Sequence, residues 1–149
     1  MKKTLLAVMA VLMMSVMLIA GCSSGEEAAP AADKKSGTTT IGFSISTLNN
    51  PFFVSVKDGV EAKAKELGVN VKIVDAQNDP AKQANDVADL LQQGVSVLLV
   101  NPVDSAAIST SVEAANKAKI PVIALDRSAD KGTIASLVAS DNVKGGEMA

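Results

Sequence analysis

The sequence from Thr40 onward alternates between short segments with the pattern of β-strands and longer segments with the pattern of amphipathic helices. The strand-like segments are 40–46, 69–74, 95–100, 121–125 and 134–139. The third of them, VSVLLV, is apolar at all but one position, as expected for a strand covered on both faces of a parallel sheet. Strands that alternate with helices through short turns predict an α/β fold, a doubly wound parallel sheet with right-handed crossovers.

Local signals predict where the helices begin and end. Asn50 and Asp79 each precede a proline, which combines a good N-cap with a residue suited to the first helical position. Gly68 and Gly94 are expected to end these two helices, and Asp104 is expected to cap a third that runs to residue 117. Helical spacing predicts the buried positions, which are Phe53, Val56, Val60, Ala64 and Leu67 in the first helix and Ala84, Val87, Ala88 and Leu91 in the second.

The loops that follow the strands carry the candidate site, because ligands of doubly wound sheets bind outside the carboxyl ends of the strands. The first of these loops offers Asn50, Phe52 and Phe53, and the fourth offers Asp126 and Arg127. Amide, carboxylate and guanidinium groups can bond neighbouring hydroxyls in pairs, and aromatic rings can cover apolar C–H faces. These residue types predict a sugar-binding site.

Each of these residues also has a purely structural interpretation. Phe53 is in phase with the buried positions of its helix and could be a core residue, whereas Phe52 is out of phase and is expected to be exposed. Asn50 is a helix cap whatever else it does. Asp126 and Arg127 could form an ordinary surface ion pair, which would contribute little to stability.

The sequence argues against an enzyme, a metal site and a nucleic-acid partner. It has neither a Gly-x-Gly-x-x-Gly motif after the first strand nor a P-loop, and histidine, the commonest general base, is absent. Carboxylates follow three strands, at Asp75, Asp104 and Asp126, but their spread over separate loops disfavours a metal or phosphoacceptor site. A net charge of −2 gives no electrostatic footprint for nucleic acid. We therefore predict a binding protein without a cofactor.

Residues 1–21 are predicted to be a signal peptide. Lys2 and Lys3 precede an almost purely apolar run at 5–20, which is shorter than the roughly 18 residues of a membrane-spanning helix. A basic start, a short apolar core and then small residues are typical of a secretory signal; an uncleaved membrane anchor is the alternative.

Residues 19–22 (IAGC) resemble the lipobox of bacterial lipoproteins. This resemblance implies that Cys22, the only cysteine, is lipidated and becomes the first residue of the mature chain. Residues 22–39 are small or charged and lack apolar periodicity, which is typical of a flexible tether. We expect an exported protein, lipid-anchored to the outer face of the cell membrane or on the periplasmic side, with a folded domain at 40–149.

Four blocks of the sequence resemble the ribose-binding proteins of bacterial ABC importers. These blocks are STLNNPFF at 46–53, NPVDS at 101–105, LDR at 125–127 and ASDN at 139–142, and they occur in the order found in that family. The resemblance implies the Rossmann-like lobe of a type I periplasmic binding protein, whose two lobes hold a ligand between them and close about a hinge. It further implies capture of D-ribose or a related pentose and delivery to a membrane permease.

The same resemblance assigns roles to individual residues. It implies that Phe52 and Phe53 flank the sugar ring and that Asn50, Asp126 and Arg127 bond the sugar hydroxyls. Asp141 is expected near the first hinge crossing. Since family members are about twice as long as one lobe, we expect the chain to hold the N-terminal lobe only.

Two other function classes compete with this interpretation. Sugar-responsive transcriptional regulators resemble this fold, but they carry an N-terminal helix-turn-helix where this chain has its predicted signal peptide. An α/β hydrolase or transferase is disfavoured by the absence of histidine. Within the binding-protein class, another sugar or a furanose-like signal molecule is the alternative ligand.

Overall fold

The computed structural model describes residues 39–149. The predicted signal peptide, Cys22 and nearly all of the predicted tether lie outside the described residues. The strands are β1 (Thr40–Ile45), β2 (Asn70–Asp75), β3 (Val97–Val100), β4 (Val122–Leu125) and β5 (Ser136–Val138). The helices are α1 (Pro51–Leu67), α2 (Pro80–Gln92), α3 (Ser109–Lys117) and α4 (Asn142–Glu147).

The strands form one parallel sheet in the order β2-β1-β3-β4-β5, which confirms the predicted fold class. The chain leaves β1 in one direction to reach β2 and then returns past β1 to β3, so the strand order reverses between β1 and β3. Right-handed crossovers in opposite directions place α1 on one face of the sheet and α2 and α3 on the other. Such a reversal is where doubly wound sheets open a crevice for ligands.

The main hydrophobic core lies between the sheet and the pair α2 and α3. Its fully buried members include Val87 and Leu90 of α2, Val112 of α3 and Leu98 of β3. Helix α2 approaches β1 closely at Gly42, where an added Cβ would lie only 3.1 Å from a Val95 methyl carbon and 3.3 Å from a Leu90 methyl carbon. The absence of a side chain at Gly42 therefore allows α2 to pack closely on β1.

The N-caps agree with the predictions at the first two helices, whereas α2 ends at a Gln93 cap with the predicted Gly94 directly after it. Asn50 accepts a hydrogen bond from the Phe52 amide, and Asp79 accepts from the first amides of α2. Gly68 ends α1 in the left-handed conformation at φ 66°. The third helix differs, because Asp104 caps a turn by accepting from the Ala107 amide and α3 begins only at Ser109.

The buried face of α2 differs from the predicted one. Val87 is fully buried as expected, but Ala88 is exposed and the remaining buried residues are Gln83 and Leu90. In α1 Ala64 is buried as expected and Val56 and Val60 are half-buried, but the prediction for Leu67 is wrong, because this side chain at the end of the helix is 61% exposed. No helix within 39–149 combines the length and the apolar character needed to cross a membrane.

Candidate functional site

A cleft of about 240 Å³ lies at the carboxyl end of the sheet, where the strand order reverses. Its lining comes from the start of α1 and from the carboxyl ends of β3, β4 and β5 with the residues that follow them: Phe52, Phe53, Val56, Asn101, Leu125, Asp126, Val138, Ala139 and Ser140. The cleft therefore brings together three of the five predicted sugar-binding residues, from segments more than 70 positions apart in the chain.

The start of α1 supplies an aromatic wall. Because Asn50 caps the helix and Pro51 opens it, Phe52 and Phe53 occupy the first turn. Their ring centroids are 5.2 Å apart with the planes at 69°, an edge-to-face arrangement. Phe52 remains 50% exposed, as its position off the core stripe predicts. Phe53 is half-buried, so it both packs against the lobe and lines the cleft.

The end of β4 supplies a carboxylate. Asp126 has a positive φ of 65°, and the Arg127 amide donates across it to the Leu125 carbonyl at 2.7 Å. An i to i+2 bond about a residue with positive φ is a γ-turn, a rare and strained conformation that Asp tolerates better than most residues. The Asp126 amide donates to the Val138 carbonyl at 2.7 Å, which ties this turn to β5. Among the described residues that line the cleft, Asp126 alone is charged.

Two predicted site residues do not line the cleft in this structure. The Asn50 side-chain oxygen accepts from the Phe52 amide at 2.9 Å, so it serves as the predicted helix cap. The Arg127 guanidinium donates to the Val103 carbonyl. Among residues 39–149, Asp126 and Arg127 form no ion pair with each other, which contradicts the surface-pair interpretation. Their contacts with a sugar stay predictions.

Asn101 is a cleft residue to which sequence reasoning gave no role. It is 1% exposed; its side-chain oxygen accepts from the Ser46 amide at 3.2 Å, and its side-chain nitrogen donates to the Leu125 carbonyl at 2.9 Å. The available signal was a polar residue directly after a buried strand, inside the block at 101–105. Ala139 and Ser140, which line the cleft beside β5, had a similar signal in the block at 139–142, whereas Val138 had none.

The remaining acidic candidates have local roles. Asp141 caps α4 by accepting from the Lys144 amide at 2.9 Å, one residue beyond the cleft lining, and its hinge role stays a prediction. Asp75 accepts from the Gln77 amide at 2.8 Å within a turn. In the part of the chain that the structure describes, no three acidic, cysteine or histidine side chains converge on a possible metal position.

Comparison with known proteins places these features in a family. Residues 41–149 match the periplasmic binding protein domain family. The chain is 56% identical over 145 residues to the ribose import binding protein RbsB of Bacillus subtilis (strain 168), covering 96% of this chain and 48% of that protein. It is 54% identical over 110 residues to RbsB of Escherichia coli (strain K12), covering 74% of this chain and 37% of that protein.

Solved structures show the same architecture. The Caulobacter myo-inositol binding protein, bound to myo-inositol, superposes with a TM-score of 0.70 at 34% identity, covering 76% of this chain and 39% of that chain. The chain thus spans about half the length, or less, of the relatives it matches. These relatives are binding proteins and not enzymes, in agreement with the class predicted from the sequence.

Proposed function

Since the chain belongs to the periplasmic binding protein family, we propose that it binds a sugar for import, with D-ribose or a related pentose as the ligand. The single observation that carries this proposal is the cleft, which two phenylalanines and Asp126 line together at the carboxyl end of the sheet, where the strand order reverses. A sugar ring presents apolar C–H faces and hydroxyl edges, so rings and a carboxylate match both kinds of surface.

Each of the five proposed sugar contacts has a chemical basis. Phe52 and Phe53 cover the faces of the ring, and Asp126 accepts hydrogen bonds from its hydroxyls. Arg127 has five N–H donors and donates one of them to the Val103 carbonyl, which leaves others to donate to a sugar hydroxyl. Asn50 uses its side-chain oxygen as a cap, which leaves its amide N–H groups as donors.

The myo-inositol binding protein supports a second candidate ligand, a six-membered polyol ring. Such a ring presents the same pattern of hydroxyl edges and C–H faces as a pentose. The cleft residues that a pentose would contact offer suitable groups to it as well, but the higher identity of the ribose import binding protein, 56% against 34%, favours a pentose.

Titration followed by ¹⁵N NMR tests the proposal directly. We expect D-ribose to shift the amide signals of Phe52, Phe53 and Asp126 with a dissociation constant in the millimolar range, and myo-inositol to bind more weakly. A smaller dissociation constant for myo-inositol than for D-ribose would favour the second ligand. Absence of shifts with either sugar up to about 100 mM, well above a millimolar constant, would contradict sugar binding in this cleft.

The proposal extends to export, anchoring and delivery. We propose that residues 1–21 direct export, that Cys22 is lipidated and held to the domain by the tether at 22–39, and that the sugar passes to an ABC permease. The support is the lipobox-like sequence IAGC and the family itself. Metabolic labelling with a radioactive fatty acid should mark the wild-type chain and leave Cys22→Ser unlabelled; equal label in both would rule out lipidation at this residue.

A further inference from the structure

A buried polar network lies beneath the cleft and begins on α2. The Gln83 side chain is 1% exposed and reaches the carboxyl ends of β1 and β3. Its amide nitrogen donates to the Asn101 carbonyl at 2.9 Å and to the Ser44 hydroxyl at 3.2 Å, and its oxygen accepts from the Val103 amide at 2.9 Å. Both N–H groups and the oxygen of Gln83 are thus bonded within the lobe.

Asn101 continues the network to the two walls of the cleft. One end of its side chain accepts from the Ser46 amide, at the start of the loop that leads to the aromatic residues. The other end donates to the Leu125 carbonyl, which is also the acceptor of the γ-turn at Asp126. A single buried side chain therefore links the loop that leads to the aromatic wall with the turn that carries Asp126.

The γ-turn needs such support because a non-glycine residue with positive φ persists only where its surroundings fix it. The Leu125 peptide group is oriented by Asn101, and the Asn101 backbone is in turn bonded to Gln83. Hydrogen bonds fix direction as well as distance. The apolar side chains around them resist separation but do not set the orientation of a peptide plane.

We propose that Gln83 and Asn101 are positioning residues that set the distance and orientation between the aromatic wall and Asp126, and thereby the fit of the ligand. This proposal rests on the proposed function for its ligand, but its structural part concerns the free lobe alone. Gln83 lies outside the cleft lining, and its amide nitrogen and oxygen are already bonded to Ser44, Asn101 and Val103, so it acts through other residues. Asn101 lines the cleft, and its bonds to Ser46 and Leu125 leave one N–H group of its side-chain amide, so its positioning role is tested by amide exchange as well as by affinity.

Three variants of the chain test this role. Gln83→Met removes the donors and the acceptor at similar length. Asn101→Asp keeps the acceptor for the Ser46 amide but replaces the donor to Leu125 with an oxygen. Val87→Ala, one helical turn beyond Gln83, is the control, since it removes buried apolar volume from the same helix without touching a polar group.

Amide hydrogen exchange is the readout that separates positioning from general stability. We expect Gln83→Met to speed amide exchange at Ser46 and Asp126 about tenfold more than exchange in the core of the sheet. The reason is that the substitution makes local opening at these two amides more frequent than it makes global unfolding. Asn101→Asp should speed exchange at Asp126 and leave Ser46 protected. Val87→Ala should speed all amides alike. A uniform increase in Gln83→Met would overturn the positioning role.

Ribose titration of the same variants supplies the functional readout. We expect Gln83→Met and Asn101→Asp to bind ribose about fivefold or more weakly, and Val87→Ala to bind as the wild type does below its unfolding transition. Unchanged ribose affinity in Gln83→Met would overturn the proposal. Failure of the wild type to bind ribose would count against the proposed function instead, and the exchange pattern would still decide whether the two residues position the walls.

Discussion

At the scale of one residue, Asp126 combines an unfavourable backbone conformation with a carboxylate that the proposed site needs. The left-handed conformation at φ 65° would be met most easily by glycine, yet glycine has no carboxylate. Asp is one of the few other residues that tolerate this conformation, because its short side chain can bond locally. The sequence indicated Asp126 as a polar residue after a strand, but the γ-turn depends on bonds to Asn101 and Val138 that no local pattern reveals.

Substitution of Asp126 should separate these two requirements. Asp126→Ala removes the acceptor and should cost about 1.5–3 kcal/mol of ribose affinity, the range for hydrogen bonds to charged groups. It should also destabilise the lobe by about 1 kcal/mol, because Ala tolerates positive φ poorly. Asp126→Asn keeps one acceptor oxygen and the backbone tolerance, so its loss should be smaller on both measures. NMR titrations and thermal melts of both variants make the comparison. Asp130→Ala, at an exposed position, is the control for the loss of a negative charge. If Asp126→Ala bound ribose as tightly as the wild type, Asp126 would not belong to the site.

The two phenylalanines should respond differently to truncation. Phe52 is half exposed, so Phe52→Ala should leave the melting temperature nearly unchanged and lose at least about 0.5–1.5 kcal/mol of ribose affinity. Phe53 is half-buried, so Phe53→Ala should lose affinity and also about 1–2 kcal/mol of stability, less than the 3–5 kcal/mol typical of a fully buried aromatic. If Phe52→Ala lowered the melting temperature as much as Phe53→Ala does, the assignment of Phe52 to the cleft surface would be wrong.

At the scale of the elements, the parts of the fold set by local chemistry were predictable. The Asn-Pro and Asp-Pro pairs mark the starts of α1 and α2 because a cap and a proline act within one turn of the chain. The buried face of α2 was not predictable from apolar spacing, since that face carries Gln83, a polar residue. Its burial depends on acceptors and donors at the ends of β1 and β3, which come together only in the folded lobe.

The loop between β4 and β5 contains a position that only glycine fills without strain. Gly132 has a φ of 90°, and an added Cβ would lie 2.6 Å from a methyl carbon of Val112, which is fully buried in α3. Gly132→Ala should therefore destabilise the lobe by about 1–3 kcal/mol, through backbone strain and the displacement of α3.

Gly59→Ala is the matched control for this substitution. Gly59 lies within α1, and an added Cβ there would meet nothing within 4 Å, so the exchange should stabilise the lobe by up to about 1 kcal/mol. Urea unfolding of both variants measures the difference. Equal stability of the two would show that the loop adjusts freely and that the packing of Gly132 on Val112 is not a constraint.

At the scale of the whole molecule, the cleft lies open at the surface of the described lobe. Phe52, Val138 and the residues of α4 are exposed, and the chain covers 48% of the length of the Bacillus subtilis relative. Binding sites for small molecules commonly bury about 70–90% of the ligand surface, which needs walls on opposite sides. Phe52, Phe53 and Asp126 could be predicted from the sequence as residues of the cleft, because each lies next to the carboxyl end of a predicted strand. The binding energy that they supply could not, because it depends on the surface that faces them in the complex.

The lobe at 39–149 should consequently bind ribose weakly. We expect a dissociation constant in the millimolar range, about a thousandfold or more weaker than a micromolar binder, which corresponds to a loss of about 4 kcal/mol. The full-length ribose import binding protein of Bacillus subtilis, titrated with ribose under the same conditions, is the control for ligand and buffer. Weak binding follows because the cleft of a single lobe leaves most of the sugar hydrated, and because the isolated lobe has no opposing surface that closes over the ligand. Calorimetry that gave a micromolar constant for the lobe alone would contradict this prediction, because it would show that the aromatic pair and Asp126 hold the sugar without an opposing surface.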